Sequence, residues 1–135
     1  MFVVDASITL AWCFTDESSQ YADDVLGRLE EDEAVAPAIW PLEVANGLLT
    51  AERRGRVDAA ELPRLSELLG ALPVHVETVL LADALGRVLD AARTFDLTAY
   101  DAAYLDLAAR RGLPLATLDQ RLERACRSAD VELLR

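Results

Sequence analysis

Four acidic residues stand where the chain passes from one kind of element to the next, at Asp5, Glu43, Asp101 and Asp119. Asp5 closes the apolar run Phe2–Val4, and Asp119 follows the strand-like run Leu115–Leu118. Glu43 and Asp101 open two helical segments. In an open parallel sheet, ligands bind outside the carboxyl ends of the strands. Carboxylates gathered there without matching Lys or Arg repel one another unless they are protonated or bind a cation. The pattern therefore predicts a divalent-metal site.

The ligand types indicate which ion and which chemistry. Oxygen donors without Cys or His select hard cations, so Mg²⁺ or Mn²⁺ is favoured over Zn²⁺. The cysteines, Cys13 and Cys126, are far apart and lack a metal-ligand spacing, so we expect small core residues there. The one histidine, His75, has no Cys or His near it and is expected at the surface. Phosphodiester hydrolysis by a metal-bound water is the natural chemistry of such a site.

The composition indicates one globular domain. The chain has 135 residues, of which 53% are hydrophobic, enough for a single core. No apolar run approaches the roughly 20 residues that span a membrane. The sequence opens directly on the strand-like residues 1–5, without a signal-peptide pattern. We therefore expect a cytoplasmic protein that does not enter membranes.

The charge is acidic, and all of the positive side chains are arginine. A net charge of −11 is unusual for a protein that binds nucleic acid, since phosphate backbones favour basic surfaces. It suits a metal site or a basic protein partner better. Arg121, Arg124 and Arg127 recur at helical spacing. They form either a solvated helix face or a positive stripe.

Short apolar runs alternate with longer helical patterns, which predicts an α/β fold with a mostly parallel sheet. Strands are expected at 2–4, 34–37, 73–77, 113–118 and 131–134. Helices are expected at 19–31, 41–54, 59–71, 79–94, 99–111 and 120–128. Pro41 suits a first helical turn, Asp58 is a candidate N-cap, and Gly55 and Gly112 suit helix ends.

Three of the acids also have a purely local explanation. Asp5 or Ser7 is a candidate helix cap, and Thr98 with Asp101 resembles a capping box. Asp119 opens a helix as well, where Thr117 and Gln120 offer an alternative cap. Glu43 is harder to explain in this way, because it lies in an otherwise apolar segment where a free carboxylate is poorly solvated.

Topology can bring these acids together. If the first and fourth strands are neighbours, the strand order reverses between them, and Asp5 meets Asp119 at that switch point. Asn46, three residues after Glu43, shares its helix face and can form supporting hydrogen bonds. Ser7 and Thr117 are placed to orient the carboxylates beside them.

Four segments, taken in order, resemble PIN-domain ribonucleases, and most of all the VapC-type toxins of bacterial toxin–antitoxin pairs. The segments are Val3–Ser7, Glu43–Leu48, Leu97–Ala108 and Ala116–Asp119. The resemblance extends from Met1 to about Leu133. It implies one domain over residues 1–135, with a three-layer α/β/α fold around a central, mostly parallel sheet of four to five strands.

The resemblance also implies a function. It implies a Mg²⁺- or Mn²⁺-dependent endoribonuclease, and a homodimer held by an antitoxin protein. The acidic quartet would be Asp5, Glu43, Asp101 and Asp119, with Asn46 and Thr117 as supporting polar groups. Antitoxins of this family often block the crevice with an arginine-bearing segment, which a chain of charge −11 would attract. Asp106 lies off the face of Asp101 and is expected to be structural or an ion-pair partner.

The mechanism expected from these residues places one or two divalent ions between Asp5, Asp101 and Asp119, with Glu43 binding directly or through water. A metal-bound water would then attack phosphorus in line. Arginines at the crevice rim would contact RNA, the candidates being Arg53, Arg54, Arg110 and Arg111. A receiver domain is disfavoured because it relies on a lysine and this chain has none. A haloacid-dehalogenase-type phosphatase is disfavoured because it needs Asp-x-Asp after its first strand and usually a lysine, whereas this chain has Asp5-Ala6-Ser7 there. The remaining alternative is a catalytically inactive PIN-like module that only binds a protein partner.

Overall fold

The structure is a computed structural model that describes residues 1–17 and 19–135. Its described strands form one parallel sheet in the order β3-β2-β1-β4. The strands are β1 (Phe2–Val4), β2 (Ala34–Pro37), β3 (Val74–Glu77) and β4 (Leu115–Ala116). Val3 is central, with Val35 opposite it on one side and Leu115 on the other.

Helices pack on both faces of this sheet. They are α1 (Ala6–Cys13), α2 (Gln20–Arg28), α3 (Trp40–Arg53), α4 (Leu62–Gly70), α5 (Leu81–Asp83), α6 (Leu89–Phe95), α7 (Ala99–Arg111) and α8 (Gln120–Ser128). A π-helical segment, Ala84–Val88, joins α5 to α6, and 3₁₀ turns occupy Thr15–Glu17 and Ala59–Glu61. Right-handed crossovers put α1–α4 on one face, where α1 contacts α2 and α3. On the other face α7 packs on β1, β2 and β4 beside α6 and α8. The three-layer fold is confirmed.

The first and fourth strands are neighbours, so the strand order reverses between β1 and β4. Strands β2 and β3 are added in turn on one side of β1, and β4 then pairs with the other edge of β1. Asp5 and Asp119 therefore leave neighbouring strands at the same edge of the sheet.

The core lies where β1 meets both helical layers. All three residues of β1 are buried, and Ile8 and Tyr104 pack against them from opposite faces. Cys126 is buried as expected, whereas Cys13 is only partly covered. His75 is exposed, with its Nε2 atom 3.1 Å from Glu33, and the structure therefore confirms a surface position.

Asp106 is an ion-pair partner, which agrees with the prediction. Its carboxylate lies 3.1 Å from Arg87 Nε and 3.7 Å from Arg110 Nε. Arg87 belongs to the π-helical segment, so Asp106 joins that segment to α7.

Several elements differ from those expected. Asp5 was a candidate helix cap, but no helix was among the expected elements at 6–13, where α1 lies. A helix buried on several sides shows little amphipathic periodicity, so its sequence does not mark it. The edge strand expected at 131–134 is reduced to one parallel bridge between Leu115 and Leu133. The predicted helix at 19–31 is shorter, ending at Arg28, and the predicted strand at 113–118 contracts to β4. No helix among the described residues is long and apolar enough to span a membrane.

Candidate active site

All four predicted carboxylates line one crevice of about 320 Å³. Its walls come from the segment after β1, from α3, from α7 and from the start of α8. The lining residues are Asp5, Ala6, Ser7, Leu10, Glu43, Asn46, Gly47, Asp101, Tyr104 and Asp119. Within the described residues no arginine lines it. The crevice thus gathers negative charge without a cation in its wall.

Asp5 lies at the bottom of this crevice and is only 4% exposed. Its Oδ1 atom accepts hydrogen bonds from Ser7 Oγ at 2.6 Å and from the Ile8 amide at 3.1 Å, so it is the N-cap of α1. Its Oδ2 atom accepts a 2.5 Å hydrogen bond from Thr117 Oγ1. Burial raises the pKa of Asp5 to about 6, although these hydrogen bonds act in the opposite direction.

The hydroxyls of Ser7 and Thr117 connect the end of β1 to the end of β4. Thr117 Oγ1 accepts a hydrogen bond from the Asp119 amide at 2.9 Å, and Ser7 Oγ accepts one from the Leu118 amide at 2.9 Å. The two hydroxyls lie 3.4 Å apart. The same hydroxyls that hold the Asp5 carboxylate therefore also fix the backbone leading to Asp119.

Asp119 is the N-cap of α8. Its Oδ1 atom accepts hydrogen bonds from the backbone amides of Arg121 at 2.8 Å and Leu122 at 3.2 Å. The alternative cap at Thr117 is not formed, because the Thr117 hydroxyl is used by Asp5 and by the Asp119 amide. Both capping hydrogen bonds end on one oxygen, and among the described residues Oδ2 accepts none.

Asp101 lies in the first turn of α7 and is half-buried. Thr98 is the N-cap of this helix, and its Oγ1 atom accepts a hydrogen bond from the Asp101 amide at 3.1 Å. Burial and then the negative charge of Asp119 raise the pKa of Asp101, while Thr98 and Arg121 act in the opposite direction. Asp101 and Asp119 are thus electrostatic neighbours.

Glu43 projects from the first turn of α3 toward α7, and its partner there is a residue that the sequence analysis missed. Tyr104 donates its hydroxyl to Glu43 Oε1 at 2.7 Å. Burial raises the pKa of Glu43, the hydrogen bond from Tyr104 lowers it, and the Asp101 charge raises it further. Tyr104 is 1% exposed, and burial together with this hydrogen bond raises its own pKa, so it stays a donor. The available signal was spacing, since Tyr104 follows Asp101 by three residues on one helix face.

The start of α3 is fixed to β1 by a buried hydrogen-bond chain. Trp40 donates its indole N–H to Thr9 Oγ1 at 3.0 Å, and the Thr9 hydroxyl donates to the Asp5 carbonyl at 3.0 Å. Gly47, one turn after Glu43, permits close packing, because a Cβ atom there would lie 2.4 Å from Leu10 Cδ1. These contacts set the position from which Glu43 enters the crevice.

The crevice is not a closed coordination shell. No three His, Cys, Asp or Glu side chains of residues 1–17 and 19–135 form a ready-made cation site. Asn46 lines the crevice but is exposed, and its side chain makes no hydrogen bond to the described carboxylates. Its predicted supporting role is therefore not formed in this conformation.

The predicted arginine contacts lie away from the crevice. Arg53 and Arg54 end α3, about 15 Å along its axis from Glu43. Arg110 and Arg111 end α7, where both pair with Glu77, at 2.8 and 3.4 Å. These four arginines are poorly placed to hold a phosphate beside the acids.

Comparisons with known proteins agree with this geometry. The sequence model of the PIN domain matches residues 2–128. Ribonuclease VapC3 of Pyrobaculum aerophilum is 38% identical over 124 residues, covering 89% of this chain and 90% of that protein. Ribonuclease VapC3 of Mycobacterium tuberculosis is 36% identical over 129 residues, covering 94% of this chain and 88% of that protein.

Solved structures show the same fold. The crystal structure of PAE2754 from Pyrobaculum aerophilum superimposes with a TM-score of 0.68 at 30% identity, covering 92% of this chain and 78% of that one. A toxin–antitoxin complex from Klebsiella pneumoniae contains a chain with a TM-score of 0.61 at 17% identity, covering 88% of this chain and 87% of that one.

Proposed function

The chain belongs to the PIN domain family, and we propose that it is a Mg²⁺- or Mn²⁺-dependent endoribonuclease of the VapC toxin type. One observation carries the proposal: four carboxylates line a single crevice that holds no arginine among the described residues. Relatives named as ribonucleases at 36% and 38% identity support RNA as the substrate. The acidic quartet would be Asp5, Glu43, Asp101 and Asp119.

The donor set fits a hard divalent cation. Every acid in the crevice offers oxygen, and burial raises the pKa of Asp5, Glu43 and Asp101. A raised pKa means that the ionised group is poorly compensated, and a cation would supply the missing compensation. The open spacing also suits Mg²⁺, which keeps several waters and needs only one or two direct carboxylate ligands.

Each acid then has a defined task. Asp5, held by Ser7 and Thr117, would present a fixed carboxylate at the bottom of the crevice. Asp101 and Asp119 would complete the ligand set, and Glu43, held through one oxygen by Tyr104, would use its other oxygen to bind directly or through water. When bound, the ion would supply the Lewis acidity that activates water and neutralises charge on the phosphate.

The test is cleavage of total cellular RNA by antitoxin-free protein with Mn²⁺ or Mg²⁺, against the same reaction in EDTA. Asp101→Asn should lower the rate by orders of magnitude while the unfolding midpoint stays near that of the wild type. Asp90→Asn is the matched control, because Asp90 is exposed on α6 and carries the same charge outside the crevice. Cleavage that persists in EDTA would contradict the metal requirement. Wild-type cleavage by Asp101→Asn would contradict the site.

We further propose a homodimer and a protein antitoxin as partners. The region around α5 exposes large apolar side chains, with Leu80 62%, Leu81 74% and Leu85 63% exposed. Contiguous apolar surface of this kind is typical of protein interfaces. Light scattering on purified protein should give twice the chain mass. The net charge of −11 should make association with an arginine-bearing antitoxin weaken as salt rises.

A further inference from the structure

A second depression opens beside the acidic crevice, between α8 and the turn that joins α6 to α7. It measures about 430 Å³, and Arg121, Arg124 and Ser128 form its α8 wall. Asp96 and Leu97 belong to the opposite wall. We call this depression the α8 groove. In contrast to the acidic crevice, its wall carries two arginines.

The α8 groove begins close to the acids. Helix α8 starts directly after its cap, Asp119, so Arg121 lies two residues from a crevice residue. The positive charge of Arg121 acts on Asp101 across the gap and partly offsets the rise that burial and Asp119 cause in the pKa of that carboxyl. Arg124 follows about 4.5 Å further along the helix axis. The two arginines therefore extend in a line away from the crevice.

The two side chains remain available to a ligand. Arg121 donates to the Asp96 carbonyl at 2.8 Å and lies 3.7 Å from its carboxylate, but both side chains are well exposed, and such a pair is weak. Arg124 makes no hydrogen bond or ion pair with the described residues. Arg127, on the same helix, is instead paired with Glu123 at 2.5 Å and lies outside the groove.

We propose that the α8 groove binds the phosphate backbone of single-stranded RNA next to the phosphate held in the crevice. The inference rests on the proposed ribonuclease function and adds the surface that holds the substrate. A chain of charge −11 repels RNA as a whole, and the carboxylates repel every phosphate that an ion does not neutralise. Cations beside the crevice offset that repulsion for the neighbouring phosphates, and Arg121 and Arg124 are placed to do so.

The test measures binding of a fluorescein-labelled 12-nucleotide single-stranded RNA by fluorescence anisotropy. The buffer contains EDTA, so no cleavage by a metal-dependent site occurs and the crevice carboxylates repel phosphate. Binding is measured for wild type, Arg124→Gln, Arg124→Glu and the matched control Arg127→Gln over a series of salt concentrations. Arg124→Gln should weaken binding several-fold and reduce the slope of log K against log salt by about 0.7, the value for one phosphate contact on a single strand. Arg124→Glu should weaken binding further, and Arg127→Gln should match the wild type.

Either of two results would contradict the proposal that the α8 groove binds RNA. One is equal binding and equal salt slopes for Arg124→Gln and Arg127→Gln. The other is no binding by the wild type at any salt concentration. Cleavage with Mn²⁺ is measured in parallel, so that the two proposals fail separately. Cleavage that needs Asp101, together with either of these two binding results, would retain the nuclease and reject the groove. Binding that depends on Arg124 in a protein that cuts no RNA would retain the groove and reject the nuclease.

Discussion

Replacing Asp5 by Asn should remove a pH-dependent loss of folding stability from the metal-free protein. Asp5 is 4% exposed, and burial raises its pKa from 3.8 to about 6. An Asn side chain can keep the same contacts: its oxygen can accept from Ser7 and the Ile8 amide, and its amide can donate to Thr117 Oγ1. The substitution therefore changes charge far more than it changes packing.

The magnitude follows from the two pKa values. Between pH 4 and pH 6 the folded protein holds a proton on Asp5 that the unfolded chain has already released. The free energy of unfolding of the wild type therefore falls as pH rises through this window. A shift of about two pH units, at 1.36 kcal/mol per unit, corresponds to a loss on the order of 3 kcal/mol by pH 7. Asp5→Asn lacks this contribution at every pH.

Urea unfolding in EDTA, at intervals from pH 4 to pH 8, measures the effect. The free energy of unfolding of Asp5→Asn minus that of the wild type should increase by about 2.4 kcal/mol from pH 4 to pH 8, because the unfolded-state carboxyl is already partly ionised at pH 4. Asp90→Asn, which alters an exposed carboxylate, should give a difference that does not vary with pH. Parallel curves for Asp5→Asn and wild type would refute the assignment of a buried, poorly compensated carboxylate to this position.

Two further predictions concern residues that the fold buries. Tyr104→Phe removes the hydroxyl that holds Glu43, so calorimetry should show weaker Mn²⁺ binding. The same substitution in a Glu43→Ala background should change the Mn²⁺ affinity no further. Equal losses of affinity in both backgrounds would mean that the tyrosine is purely structural. Burial raises the thiol pKa of Cys126 to about 11. A disulfide reagent should therefore modify the partly exposed Cys13 first, and Cys126 only at the rate of unfolding. Fast modification of Cys126 in the native protein would contradict its burial.

The acids were predictable because each stands at a boundary that the sequence marks. Asp5 and Asp119 follow apolar runs, and Thr98 is an N-cap signal for the helix that carries Asp101. The local and the functional interpretations of these residues do not exclude each other. Asp5 and Asp119 are helix N-caps and line the crevice at the same time. A capping hydrogen bond fixes the backbone and one oxygen, which gives a carboxylate a defined orientation.

The missed features depend on tertiary contacts that have no local signature. Helix α1 packs against α2 and α3, and its apolar residues do not repeat with a helical period. Tyr104 looks like an ordinary core residue in the sequence, and its hydroxyl gains a role only when α3 brings Glu43 within 2.7 Å. The contacts of Arg110 and Arg111 with Glu77 depend on how α7 crosses the sheet, which residue spacing does not reveal.

The fold itself supplies part of the positive charge that the crevice lacks. Four helices direct their N-termini toward it: Asp5 and Asp119 cap α1 and α8, while Glu43 and Asp101 lie in the first turns of α3 and α7. Each helix N-terminus stabilises a nearby anion by about 0.3–1 kcal/mol. That is less than the cost of on the order of 3 kcal/mol that burial places on Asp5 alone. Helix N-termini can therefore hold the acids in place but cannot neutralise them, and this residual negative charge is what would draw a divalent ion into the crevice.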